Sequence, residues 1–205
     1  MARAAQARCT KLTVIVPDIA KSAGTLFTIG ASHIIMGPTS DLGPTDPQIV
    51  VKPNQPFVAA KDIIKSVEDA AAAVQRQPET YALYSALLSD VTALLLQQAR
   101  AALARGSDLL SEALASNAHR STKDVTALAA TLKPLLVDAP NSHGAIFGAN
   151  EATAANLPVL TLKPDSDQWR AIWALWTRYF HLSDAGGKQM LAFEGTRVSQ
   201  ILGAV

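Results

Sequence analysis

Leu12-Thr13-Val14-Ile15-Val16-Pro17-Asp18-Ile19-Ala20-Lys21-Ser22-Ala23-Gly24 decides how the rest of this chain is read. Its opening run, Leu12 to Val16, is apolar and β-branched and is closed by a proline, the pattern of a buried strand. From Ser22 to Ala31 the residues are small or apolar and suit a short helix, and His33-Ile34-Ile35-Met36 resembles a second strand. Strand, helix, strand in that order predicts a parallel α/β unit with a crossover helix, because parallel neighbours cannot be joined by a tight turn. Residues 37–47 are rich in Gly, Pro, Asp and Ser and read as turn chemistry from end to end.

Past Pro56 the texture changes to Ala- and Leu-rich helical spacing. Phe57, Ala60, Ile63, Ile64, Val67 and Ala71 mark one helix to about Arg76, which Pro78 breaks. A second helix is predicted from Glu79 to Arg105, closed by Gly106, and a third from Ser107 to Ser116. Ser121 or Thr122 caps a fourth that reaches Leu132 ahead of Pro134. Pro158 to Leu162 reads as a strand, and Asp165 or Ser166 opens an aromatic-rich helix to His181. No repeat or low-complexity linker interrupts the chain. The expectation is one α/β domain over residues 1–205, with parallel sheet units, a helical excursion and a helical C-terminal region.

Composition narrows the function classes. The 205 residues carry a formal net charge of +1, so no basic excess is available to neutralise a phosphate backbone, and nucleic acid is not an expected partner. The single cysteine, Cys9, excludes an internal disulfide and reads as a buried or half-exposed thiol in a reducing compartment. No stretch approaches the roughly 20 apolar residues of a membrane-spanning helix. Nor does an apolar core follow Arg3 and Arg8 as in a signal peptide. Four scattered histidines show no metal-ligand spacing and no glycine-rich phosphate loop is present, so neither metal nor cofactor is expected. Trp169, Trp173, Trp176, Tyr179 and Phe180 recur at helical intervals and read as core or a subunit interface.

Ser22 is the first candidate for chemistry. At the start of a helix that follows a strand, free N–H groups and the helix dipole favour negative charge developing nearby, as a nucleophile requires. Ala23 and Gly24 are small enough to let a substrate carbonyl approach the backbone. The same pattern fits a plain N-cap serine with no chemistry.

The run from Lys21 to Ala31, continued by Met36 to Pro44, resembles the active-site segment of the Clp/crotonase superfamily. The closest likeness is to the serine dehydrogenase proteinase family, related to Clp protease and to signal peptide peptidase A. Leu42-Gly43-Pro44 followed by Asp46-Pro47-Gln48 is shared with that family, as are Ser142-His143, Glu151-Ala152 and Leu157. The likeness is tight from Leu12 to Ile49 and looser beyond.

This resemblance implies a serine peptidase acting through an acyl-enzyme. By position it makes Ser22 the nucleophile, Asp46 the orienting acid, His143 the base and the Ala23 N–H an oxyanion donor. Serine needs a base to take its proton, imidazole titrates near neutrality, and a carboxylate fixes the tautomer. Asp46 can equally cap a turn, and His143 can equally be a solvated loop residue. His119, in a polar connection, competes as base. A Ser–Lys dyad, as in signal peptide peptidases, would draw on Lys52, Lys61 or Lys65. His33 reads as a packing or edge residue, and His181 as meeting a helix C-terminus.

Relatives build part of the oxyanion hole from a glycine-rich turn upstream of the nucleophile strand, so the chain is expected to lack N-terminal strands and to be weakly active alone. The implied partners are a polypeptide substrate and further copies of the chain. Membrane contact is expected only through segments not present here, and the location is the cytoplasm or the inner face of the membrane. The alternatives are a non-catalytic assembly subunit of the same fold and a crotonase-like acyl-thioester enzyme.

Overall fold

In the computed structural model, which describes residues 2–52, 54, 56–138, 144–185, 190–194 and 199–203, a short helix α1 (Ala2–Gln6) precedes the strand β1 (Thr13–Val16). Next come β2 (Ile19–Ala20), α2 (Ala23–Ile29), β3 (His33–Met36) and β4 (Asp41–Leu42). β1 and β3 pair in parallel, Thr13 opposite His33 through Val16 opposite Met36, with α2 as the crossover. β2 and β4 form a second parallel pair, Ile19 opposite Asp41. The strand–helix–strand expectation therefore holds, and the fold is α/β with small parallel sheets and a large helical share.

A short antiparallel clip of β5 (Gln48–Ile49) and β6 (Val58–Ala59) leads into α3 (Ala60–Arg76). A 3-10 turn at Pro78–Thr80 and α4 (Tyr81–Leu87) follow, then the long α5 (Ala93–Ala115) and α6 (Thr122–Lys133). A π-helical turn, Pro134–Asp138, continues α6. The chain returns through α7 (Ala149–Ala154) to β7 (Val159–Thr161), which adds in parallel to β3 and makes it the central strand of the order β1-β3-β7. α8 (Asp167–Ala185) and an antiparallel hairpin of β8 (Met190–Glu194) and β9 (Ser199–Gly203) end the description.

The main core lies between the sheet and the helices α2, α5 and α6. Ile29, Ile34, Met36, Leu42, Leu114, Leu132 and Leu136 are all fully buried there. α2 meets α5 so closely that a Cβ on Gly30 would sit 2.9 Å from the Ala113 carbonyl oxygen. A smaller cluster of Ala60, Ile63, Leu95 and Ala99 joins α3 to α5 and holds the helical excursion. Trp169 closes the far end of β3. Its ring lies 2.5 Å from where a Gly37 side chain would begin, and it makes a tilted contact with Trp173, which in turn stacks on Trp176 and through it on Phe180.

Several expectations change. The helix predicted over 79–105 is broken at residues 88–92, where Thr92 takes an extended conformation and caps α5 through the Leu95 N–H. Gly106 does not end a helix but lies buried inside α5, where an added Cβ would reach within 3.0 Å of Pro47. It serves close approach rather than termination, and the two look alike in sequence. The C-terminal region carries a hairpin after its helix, and that helix runs past His181 to Ala185. Cys9 is exposed, and so is His33 even though its strand is central.

Candidate active site

Ser22 links β2 to α2 with φ 49° and ψ −113°, a left-handed backbone that a non-glycine residue adopts only under strain. Its hydroxyl makes no capping bond to the helix it precedes, and the side chain is exposed. Two other caps in the same chain show what capping looks like. Ser121 and Thr92 have extended backbones (φ −70° and −78°) and accept from the Asp124 and Leu95 N–H groups. Ser22 shares the position but neither the extended backbone nor the side-chain bond, so its hydroxyl does not cap the helix. Strained strand-to-helix turns of this kind present a nucleophile's oxygen to solvent.

The turn is fastened on every side. Ser22 donates its N–H to the Pro44 carbonyl (3.1 Å), and its own carbonyl accepts from Leu26 (3.1 Å). Ala23 N–H, the first of α2, meets no acceptor among the described residues. Thr25 is fully buried one turn on, and its hydroxyl lies 2.6 Å from the Ala20 oxygen and 2.9 Å from the Gly43 oxygen. The same hydroxyl accepts the Gly43 N–H at 3.0 Å. The ammonium of Lys21 pairs with Asp41 and donates to the Ala145 carbonyl (2.8 Å), while its stem crosses directly over Gly43.

Residues 42–46 run through the interior beside this turn. Leu42 exchanges backbone bonds with Phe147, and the Thr45 N–H reaches the Leu136 carbonyl at 2.8 Å. Asp46 is 2% exposed, accepts from Gln48 Nε2 (2.8 Å) and faces Lys61 Nζ at 3.9 Å. The Ser22–Pro44 bond thus ties the Ser22 and Asp46 segments together, with Lys61 beside the carboxylate. Lys65 is exposed and pairs with Asp69, and Lys52 pairs with Asp90.

His119 is not brought to Ser22. Its ring donates to the Thr10 carbonyl (2.7 Å) beside Arg120, whose guanidinium binds the Ile29 and Ala31 carbonyls at the C-terminal end of α2. Ser22 is at the opposite end of that helix, roughly 10 Å away at about 1.5 Å per residue. His143 lies outside the described residues.

A match to the family described as ClpP-like SDH-type serine proteinase spans residues 1–124, more than half of the chain and all of the segments just described except 136–147. The chain belongs to that family. Over 68 residues it is also 41% identical to an uncharacterized protein of Methanocaldococcus jannaschii, an alignment covering 33% of this chain and 22% of that one. The chain therefore spans well under two thirds of that relative's length. No solved structure matches. The family suggested by the sequence and its α/β fold are thus confirmed, and that family is described as one of serine proteinases. Lys21, Asp41 and Thr25 were absent from the candidates read from sequence. All three lie in the stretches singled out, but a side chain's direction is set by partners up to 124 residues away and leaves no local signal.

Proposed function

We propose that this chain is a serine peptidase that cleaves polypeptides through an acyl-enzyme on Ser22. The observation that carries the reading is the backbone of Ser22, strained at φ 49° with its hydroxyl uncommitted to the helix. Strain persists where the surrounding structure over-determines it, and such residues cluster at sites of chemistry.

His143 takes the proton of the Ser22 hydroxyl as Oγ attacks the scissile carbonyl carbon. The resulting oxyanion is met by the Ala23 N–H at the positive end of α2. As the C–N bond breaks, the imidazolium returns the proton to the leaving amine, and the acyl ester is hydrolysed by a water that the same imidazole deprotonates. Asp46 orients that imidazole. The chain supports this assignment at two points flanking residues 139–143. Leu136 is bonded to Thr45 next to Asp46, and Ala145 is bonded to Lys21 next to Ser22. Lys61 is the less favoured base, because its salt bridge to Asp46 engages the ammonium form whereas a base must offer a lone pair. The working form is an oligomer of identical chains.

A fluorophosphonate tests the reading, since Ser22 Oγ would displace fluoride from phosphorus. Mass spectrometry is expected to find the adduct on the peptide holding Ser22, with none in Ser22→Ala or His143→Ala and labelling kept in Lys61→Met. An unlabelled Ser22 in the folded parent chain would refute it.

A further inference from the structure

We propose that Lys21 and Asp41 are a positioning pair that holds Ser22 in its strained conformation. The proposal rests on the reading of Ser22 as nucleophile for its purpose, but not for its geometry. Left to itself, the residue before a helix relaxes to the extended backbone that Ser121 and Thr92 adopt. Ser22 is prevented from doing so by bonds on both sides. Its N–H, its carbonyl and the Lys21 carbonyl, which accepts from Gly24 at 2.8 Å, fix the helix side. The strand side is fixed by the side chain of Lys21.

That side chain is fully engaged. Its head binds the Asp41 carboxylate and the Ala145 carbonyl, and only 21% of it is exposed, against 14% for Asp41. Its stem passes over Gly43 so closely that a Cβ there would fall 1.8 Å from Cδ. The other oxygen of Asp41 accepts the Phe147 N–H at 2.8 Å. One ion pair therefore fastens β4, the Ala145–Phe147 segment and the residue next to the nucleophile at a single point. An exposed salt bridge would have little hold. This one is half enclosed, shared with a backbone carbonyl and threaded through a gap that only glycine leaves open. Release it, and Ser22 is free to rotate toward the extended region and move its oxygen from the position the turn gives it.

The test compares Ser22→Gly with Ser22→Ala in two backgrounds. In the parent, glycine is at ease at φ 49° and alanine is not, so the glycine variant is expected to melt about 2–4 °C higher. In a Lys21→Met background residue 22 relaxes and the difference falls to about zero. A difference that persists there overturns the proposal. Should Lys21→Met fail to fold, Lys21→Met with Asp41→Asn, which leaves no lone charge, serves instead.

Fluorophosphonate labelling of Ser22 is the second arm. At equal folded fraction, Lys21→Met and Asp41→Asn are each expected to slow it about 10- to 100-fold, the cost of a misplaced reacting atom. Labelling at the parental rate counts against the pair. If the folded parent is not labelled at all, the peptidase reading fails and the melting temperatures alone decide the positioning.

Discussion

Thr25 and Thr28 stand one turn apart in α2, both buried (0% and 1% exposed), and replacing each by valine should have opposite consequences. Valine keeps the shape and removes only the hydroxyl. At Thr28 that hydroxyl donates to the Gly24 carbonyl four residues back. Such back-bonding adds little to a helix and can bend it. Thr28→Val is expected to stay within about 1 kcal/mol of the parent. The Thr25 hydroxyl instead bridges Ala20, Gly43 N–H and Gly43 carbonyl, groups belonging to β2 and to the turn beyond β4. Losing it removes about two net hydrogen bonds of ~1 kcal/mol each and leaves the Gly43 carbonyl underserved in the interior. Together these cost about 2–3 kcal/mol. For a chain of this size each kcal/mol is about 2–4 °C, so Thr25→Val should melt roughly 4–12 °C below the parent and well below Thr28→Val. Urea titration with paired thermal melts measures both. Equal losses in the two variants would refute the account of how α2 is moored.

Other perturbations follow from the same geometry. Arg120 bonds the carbonyls of Ile29, Ala31 and Leu114, so Arg120→Met should cost about 2 kcal/mol in a urea titration, as charged donors to helix ends do. Hydrogen bonds from Arg105 hold the Glu112 carboxyl below its ordinary range, and those from the Ser121 hydroxyl and N–H do the same for Asp124. A lowered folded pKa means stability that is complete above the ordinary carboxylate range of about pH 4 and is lost as pH falls through the lowered values. Melting temperature should thus drop as pH falls below the ordinary carboxylate range of about 4, and drop less in Glu112→Gln and Asp124→Asn.

The readable part of this fold was the local part. β1, α2 and β3 follow from a β-branched run, a stretch of small residues and another apolar run, each decided within a few positions. The break at 88–92 was missed because Gly106 offered a more obvious stop, yet that glycine answers to Pro47, nearly sixty residues earlier on the chain. At the site, Ser22 was legible as a residue and not as a conformation, since serine before a helix is by default a cap. Only the bonds to Pro44 and the path of Lys21 determine otherwise, and both are tertiary.

Asp46 poses the sharpest question, because its segment is explained by burial before any catalysis is invoked. A loop through an interior must place every backbone donor. Here Leu42 N–H goes to Phe147, Gly43 to Ala20 and Thr25, and Thr45 to Leu136, while Pro44 and Pro47 have no N–H to place. Gln48 and Lys61 then answer the buried carboxylate of Asp46. A structural role and a catalytic one therefore make different claims about Asp46→Asn. Asparagine keeps an acceptor for Gln48 but removes the charge facing Lys61, and breaking a buried pair costs about 3–5 kcal/mol. If that is all Asp46 does, fluorophosphonate labelling of Ser22 per folded molecule stays at the parental rate while the urea midpoint falls. If Asp46 orients the base, labelling falls well beyond the loss of folded protein, and a parallel Lys61→Met variant, destabilised by the same broken pair, keeps its rate. Equal labelling losses in the two variants would show that the ion pair, not the carboxylate, is what the site needs.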